Sequence, residues 1–233
     1  MRITPNFIIM IRLSVDLEAL YRLYAAGGIE AYKPLLKQAL ALESAGADGI
    51  VFKVGGPYDP GRRRVISVLS ESLDISLSVR TSLDEQWIQA ILETKPSLAI
   101  FTLDGTSEDS YREVVTRLQV QNILVAFEVR PQAEAIKTAA KLKGDFLVFG
   151  CDSYLEAKGL GDQIEQLNSI SRAAALGSRL SMGSIASGDF DRQKLARLVQ
   201  TKSVEEVFIG LPVFTDSLIR GYQEAIKSIK SLL

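Results

Sequence analysis

The sequence predicts a (β/α)₈ barrel, and three observations carry that expectation. Eight short apolar runs alternate with eight amphipathic stretches along 233 residues, the pattern of repeated strand–helix units. Turn residues punctuate the joints between them, and no strand leads into the G-x-G-x-x-G turn of a dinucleotide-binding open sheet. With 47% hydrophobic and 24% charged residues, the chain suits one large domain over residues 1–233 better than two small ones.

The first strand is expected over Phe7 to Val15, whose apolar part is too short for a signal sequence or a membrane span. The clearest joint is Glu43 to Lys53. There Gly46 can adopt the left-handed conformation that closes a helix, Asp48-Gly49 turns the chain, and Ile50 to Phe52 begins a strand ending on Lys53. The second strand is placed at Gly49 to Val54, the third at Ile75 to Arg80 and the fourth at Leu98 to Leu103. Ile123 to Phe127, Phe146 to Gly150, Arg179 to Met182 and Glu206 to Ile209 complete the set. Helical spacing marks Ala31 to Ser44, Arg62 to Ser72, Asp84 to Thr94 and Ser107 to Leu118 in the first half. Gln132 to Leu142, Gly161 to Leu176, Asp189 to Thr201 and Thr215 to Leu232 follow. In the last of these, Leu218, Ile219, Tyr222, Ala225, Ile226, Ile229 and Leu232 form a stripe expected to pack on the barrel, with a share in a dimer contact as the alternative.

Composition narrows the chemistry. The formal charge is -1, so no global field favours nucleic acid or an anionic membrane. A single cysteine, Cys151, excludes an internal disulfide framework and fits a reducing, cytoplasmic setting. There is no histidine, which rules out histidine triads and histidine zinc sites. Acid–base chemistry would need a perturbed Lys, Asp, Glu, Tyr or Cys, or a metal held by carboxylates. No motif points to a metal or a cofactor, and neither is expected.

Strand C-termini are where a barrel carries its site. Lys53 and Arg80 end adjacent strands there and, with Asp16 and Arg22, would make a polar, net basic pocket for an anion. Alternatively they rim the barrel and pair with Asp16, Asp104 or Asp152. Lys53 could also serve as the Schiff-base nucleophile of a barrel lyase. Gly183-Ser184-Ile185-Ala186-Ser187-Gly188 reads as a loop after the seventh strand whose backbone N–H groups could cradle a phosphate, with Gly210 as the other half. Arg62-Arg63-Arg64 is either a solvated face or a phosphate contact. Glu128 and Arg130 are either a mouth ion pair or rim charges, and Cys151 reads as a buried thiol.

The local wording resembles the pyridoxine 5′-phosphate synthase family. Ala45-Gly46-Ala47-Asp48-Gly49-Ile50, Glu93-Thr94-Lys95-Pro96, Ile209-Gly210 and Gly221 to Lys230 carry the similarity, and Leu13-Ser14-Val15-Asp16-Leu17 with Arg22 echoes the family's first-strand motif. The resemblance implies a homo-oligomeric barrel, a small phosphorylated partner and the condensation of 3-amino-2-oxopropyl phosphate with 1-deoxy-D-xylulose 5-phosphate. Carried over residue by residue, it also implies departures. Lys53, Ser184 and Leu211 stand where the family has histidines, Arg80 stands where it has a general-base glutamate, and Gly183 is retained. The long lid after the family's fourth strand is shortened to Leu103 to Glu108. The expectation is therefore a family member that is catalytically divergent or inactive and binds a small phosphorylated ligand, the alternative being an active synthase.

Overall fold

The computed structural model describes residues 10–103 and 107–233. Its strands are β1 (Arg12–Asp16), β2 (Gly49–Lys53), β3 (Ser76–Thr81), β4 (Leu98–Thr102), β5 (Leu124–Val129), β6 (Phe146–Gly150), β7 (Gly183–Ser187) and β8 (Glu206–Ile209). All pair in parallel and in sequence order, and β8 returns to β1 to close the barrel. The helices are α1 (Glu18–Ala26), α2 (Tyr32–Ser44), α3 (Pro60–Ser72), α4 (Glu85–Thr94), α5 (Glu108–Val120), α6 (Ala133–Lys141), α7 (Asp152–Glu156), α8 (Leu160–Arg179), α9 (Arg192–Gln200) and α10 (Leu211–Lys230). The (β/α)₈ expectation holds, with α1 and α7 as extra turns in loops over the mouth. The start of the expected first strand, residues 7–9, and Asp104 to Thr106 of the shortened connection lie outside the described residues.

Strand alternation divides the core in two. Val51, Leu98, Ile100, Ala126, Val148, Ile185 and Phe208 fill the barrel interior. Their outward neighbours, among them Ile50, Phe52, Phe101, Phe127, Phe149 and Val207, pack beneath the helices. Below the inner layer Glu206 is buried and accepts hydrogen bonds from Ser14 and Arg12, which gives its charge both a partner and a donor. At the joint ahead of β2, Gly46 has φ +97°, as the turn requires. Asp48 then accepts from the Leu13 N–H at 2.8 Å and from Lys230 at 2.7 Å, so the end of α10 is pinned to the start of the barrel.

Two expectations are corrected. The seventh strand lies over Gly183–Ser187 instead of Arg179 to Met182, because α8 continues to Arg179 and Ser181 turns the chain with φ 64°. Gly183 opens this strand for lack of room: a Cβ there would lie 2.4 Å from the Phe146 ring of β6. Packing thus overrides low strand propensity. In α10, Gly221 breaks the helical conformation with φ 76° and ψ 163°. Ala225, Ile226 and Ile229 are buried beyond the break, whereas Val213 and Phe214 are the buried residues before it. Leu218 and Ile219 are consequently 87% and 85% exposed and do not pack on the barrel.

Candidate functional site

The C-terminal ends of the strands form a cleft of about 480 Å³. Its centre is Arg80, the penultimate residue of β3, in register with Lys53 of β2. The Arg80 guanidinium donates to Asp16 at the end of β1 and to the Ser187 hydroxyl of β7 at 2.6 Å. Its Nε lies 3.8 Å from Glu128 of β5. It sits 5.5 Å from the centroid of Phe208, so the innermost aromatic ring is the floor under the charge. Glu128 also accepts from Thr102 at 3.3 Å. Four strands therefore converge on one guanidinium, whose side chain is 13% exposed.

Asp16 does two things. One oxygen meets Arg80, and the other accepts the Glu18 N–H at 2.9 Å, which starts α1 across the mouth. Glu18 in turn receives Arg62 at 2.9 Å and Arg22 at 2.9 Å. Burial pushes the Glu18 carboxyl up, but hydrogen bonds and charge from Arg62 and Arg22 outweigh it and hold the group below the usual carboxylate range. Arg62 lies 3.9 Å from the Tyr21 ring centroid and donates to the Lys53 carbonyl.

Each residue expected at the site can now be placed. Asp16, Arg22, Lys53, Arg80, Gly210 and Leu211 line the cleft. Lys53 ends β2 exposed, with its side chain at the rim. Gly210 is a close approach between β8 and β1, since a Cβ there would lie 3.0 Å from the Asp16 carbonyl oxygen. Leu211 is half exposed and opens α10.

Gly183 and Ser184 are corrected: they begin β7, at the end of the barrel away from the mouth, and Ser184 shares the outward face of Ala186. The loop they were expected to form starts instead at Gly188. Arg62, Arg63 and Arg64 each meet a carboxylate, of Glu18, Glu93 and Glu30 respectively, so none is an uncommitted phosphate contact. Glu128 faces Arg80 at the mouth, whereas Arg130 is exposed and, among the described residues, enters no ion pair, so the two do not pair with each other. Cys151 is buried, and burial raises its thiol to about 12, which leaves it protonated and unreactive.

The expected net basic pocket is also corrected. Asp16, Glu18, Glu128, Asp152 and Asp189 face Arg22, Lys53 and Arg80, five carboxylates against three cations. Sequence reasoning missed Glu18 and Asp189 as site residues, and it read Ser187 as part of a phosphate loop where the structure makes its hydroxyl an acceptor for Arg80. The Asp189 carboxylate accepts the Leu211 N–H at 3.1 Å, so a side chain of the protein already occupies the amide next to Gly210, where the other half of a phosphate cradle was expected. Among the described residues no group of three or more His, Cys, Asp or Glu side chains is placed to hold a metal ion, and no helix is long and apolar enough to cross a membrane.

Comparison with known proteins follows the fold. The family model described as pyridoxal phosphate biosynthesis protein PdxJ matches residues 13–233. A pyridoxine 5′-phosphate synthase of Geobacter sp. (strain M21) is 23% identical, covering 96% of this chain and 99% of the relative. That of Pelobacter propionicus is 26% identical over 95% of this chain and 97% of its own. Among solved structures, 3-hexulose-6-phosphate synthase superposes with a TM-score of 0.63 at 13% identity, covering 96% of this chain and 100% of the other. At that identity it speaks for the barrel alone.

Proposed function

Because the chain belongs to the PdxJ family of pyridoxal phosphate biosynthesis proteins, we propose that it is a pyridoxine 5′-phosphate synthase-like barrel that binds a small phosphorylated ligand at its mouth without performing the family's condensation. One observation carries the second half of this reading: Arg80, held by Asp16, Ser187 and Glu128, stands at the centre of the cleft. A guanidinium stays protonated in proteins and cannot serve as a general base. The chain offers no histidine in its place.

Ligand binding is supported by the cleft itself, with Lys53, which no ion pair engages among the described residues, on its rim. The exposed Leu218 and Ile219 pair supports a homo-oligomer, in line with the resemblance. The alternative, an active synthase, draws its support from similarity along almost the whole chain. The binding half is tested by an NMR titration of the labelled protein with 1-deoxy-D-xylulose 5-phosphate. Saturable shifts in the strand-end residues are expected, with affinity falling about fivefold to tenfold in Lys53→Met, the range for one charge-assisted contact. Absence of saturable shifts up to millimolar ligand would remove the phosphorylated-ligand reading.

A further inference from the structure

Between β1 and α2 the chain crosses the mouth through residues 18–30, and none of them is buried. Both flanking residues are: Leu17 is sealed in the core with its N–H donated to the Val51 carbonyl at 3.0 Å, and Ala31 precedes α2. Within the stretch α1 walls the cleft with Glu18, Ala19 and Arg22, while Leu20, Tyr21 and Tyr24 reach the core only partly buried. A helix of nine residues does not hold its shape alone in water, so contacts with the barrel must keep α1 in place.

Beyond the Asp16 bond that starts the helix, its polar contacts come mostly from the first turn of α3 and its cap. Arg62 gives each Glu18 oxygen a donor, at 2.9 and 3.1 Å, and stacks on the Tyr21 ring. Tyr21 donates to Asp59, the N-cap of α3, at 2.9 Å. Tyr24 accepts from Gln38 of α2 only at 3.5 Å. Releasing α1 strands no buried charge. Arg62 keeps the Lys53 carbonyl and the Asp59 carboxylate, 3.9 Å from its Nε, and Glu18 leaves with the helix for water.

We infer that residues 18–30 are a strap over the mouth that opens by local unfolding, with the Arg62–Glu18 pair as its latch. Few buried contacts and one point of attachment give this stretch a lower opening free energy than the helices packed on the barrel. Opening clears the side of the cleft where Asp16 ends β1 and Lys53 ends β2. Gly27 and Gly28, the latter with φ +67°, supply the backbone freedom at the far end of the strap. Because the latch is an ion pair, salt loosens it.

Hydrogen–deuterium exchange of the full chain, resolved by residue, tests this. The amides of α1 are expected to exchange about tenfold or more faster than those of α2 at equal intrinsic rate. Arg62→Met and, separately, Glu18→Gln are each expected to speed α1 by a further factor of about five to ten, the worth of one charge-assisted pair, with α2 and α8 unmoved. Raising salt from about 0.02 M to about 0.5 M is expected to speed α1 severalfold in the wild type and less in Glu18→Gln. Acceleration spread evenly over all helices in both variants would overturn the latch. Exchange of α1 as slow as that of α2 in the wild type, or unmoved by either variant, would overturn the strap.

Discussion

Phe208→Ala is expected to lower the free energy of unfolding by about 3–5 kcal/mol, the range for deleting a fully buried aromatic ring. Phe208 is 1% exposed and belongs to the barrel-filling cluster with Val51, Ile100, Val148 and Ile185. Its neighbours are held by strand pairing on both sides, so the barrel cannot collapse around the void. The ring also supports the Arg80 guanidinium from below, and its loss lets water reach the ion pairs from the inner side. Urea unfolding followed by circular dichroism reads the change directly. A loss below about 1 kcal/mol would contradict a packed barrel interior.

The second large effect is at Arg80 itself. Arg80→Met is expected to cost about 2–3 kcal/mol in the same measurement, because Asp16 and Glu128 are left facing a mouth with no cation between them and Ser187 loses its donor. Removing one partner of a fully buried pair costs more, but Asp16 and Glu128 are 20% and 30% exposed and water offsets part of the loss. Arg80→Glu places three carboxylates together and is expected to be more destabilising than Arg80→Met. If both variants are as stable as wild type, the guanidinium does not organise the mouth.

Much of this barrel can be read from the sequence because its signals are local. Gly46 and Asp48 mark a joint by turn chemistry, and β6 and β8 stand where their apolar runs place them. β7 was hidden because it opens on Gly183-Ser184, and Gly183 is small for a non-local reason, the Phe146 ring of the neighbouring strand. The exposed Leu218 and Ile219 were hidden by one backbone angle at Gly221. At the site, strand-end position was enough to find Lys53 and Arg80. Their different states were not readable, since what neutralises Arg80 is spread over β1, β5 and β7. Pairing of Arg80 with Asp16 was one of the sequence's alternatives, whereas its contacts with Glu128 and Ser187 were not, because β5 and β7 are distant from it in the chain.

The central claim is that an arginine, fixed by Asp16, Ser187 and Glu128, has taken the place of condensation chemistry in this barrel. The most direct measurement supplies the purified chain with 3-amino-2-oxopropyl phosphate and 1-deoxy-D-xylulose 5-phosphate and follows pyridoxine 5′-phosphate and inorganic phosphate. The expected result is no product above a protein-free control, whereas repeated turnover by the wild-type chain would contradict the claim.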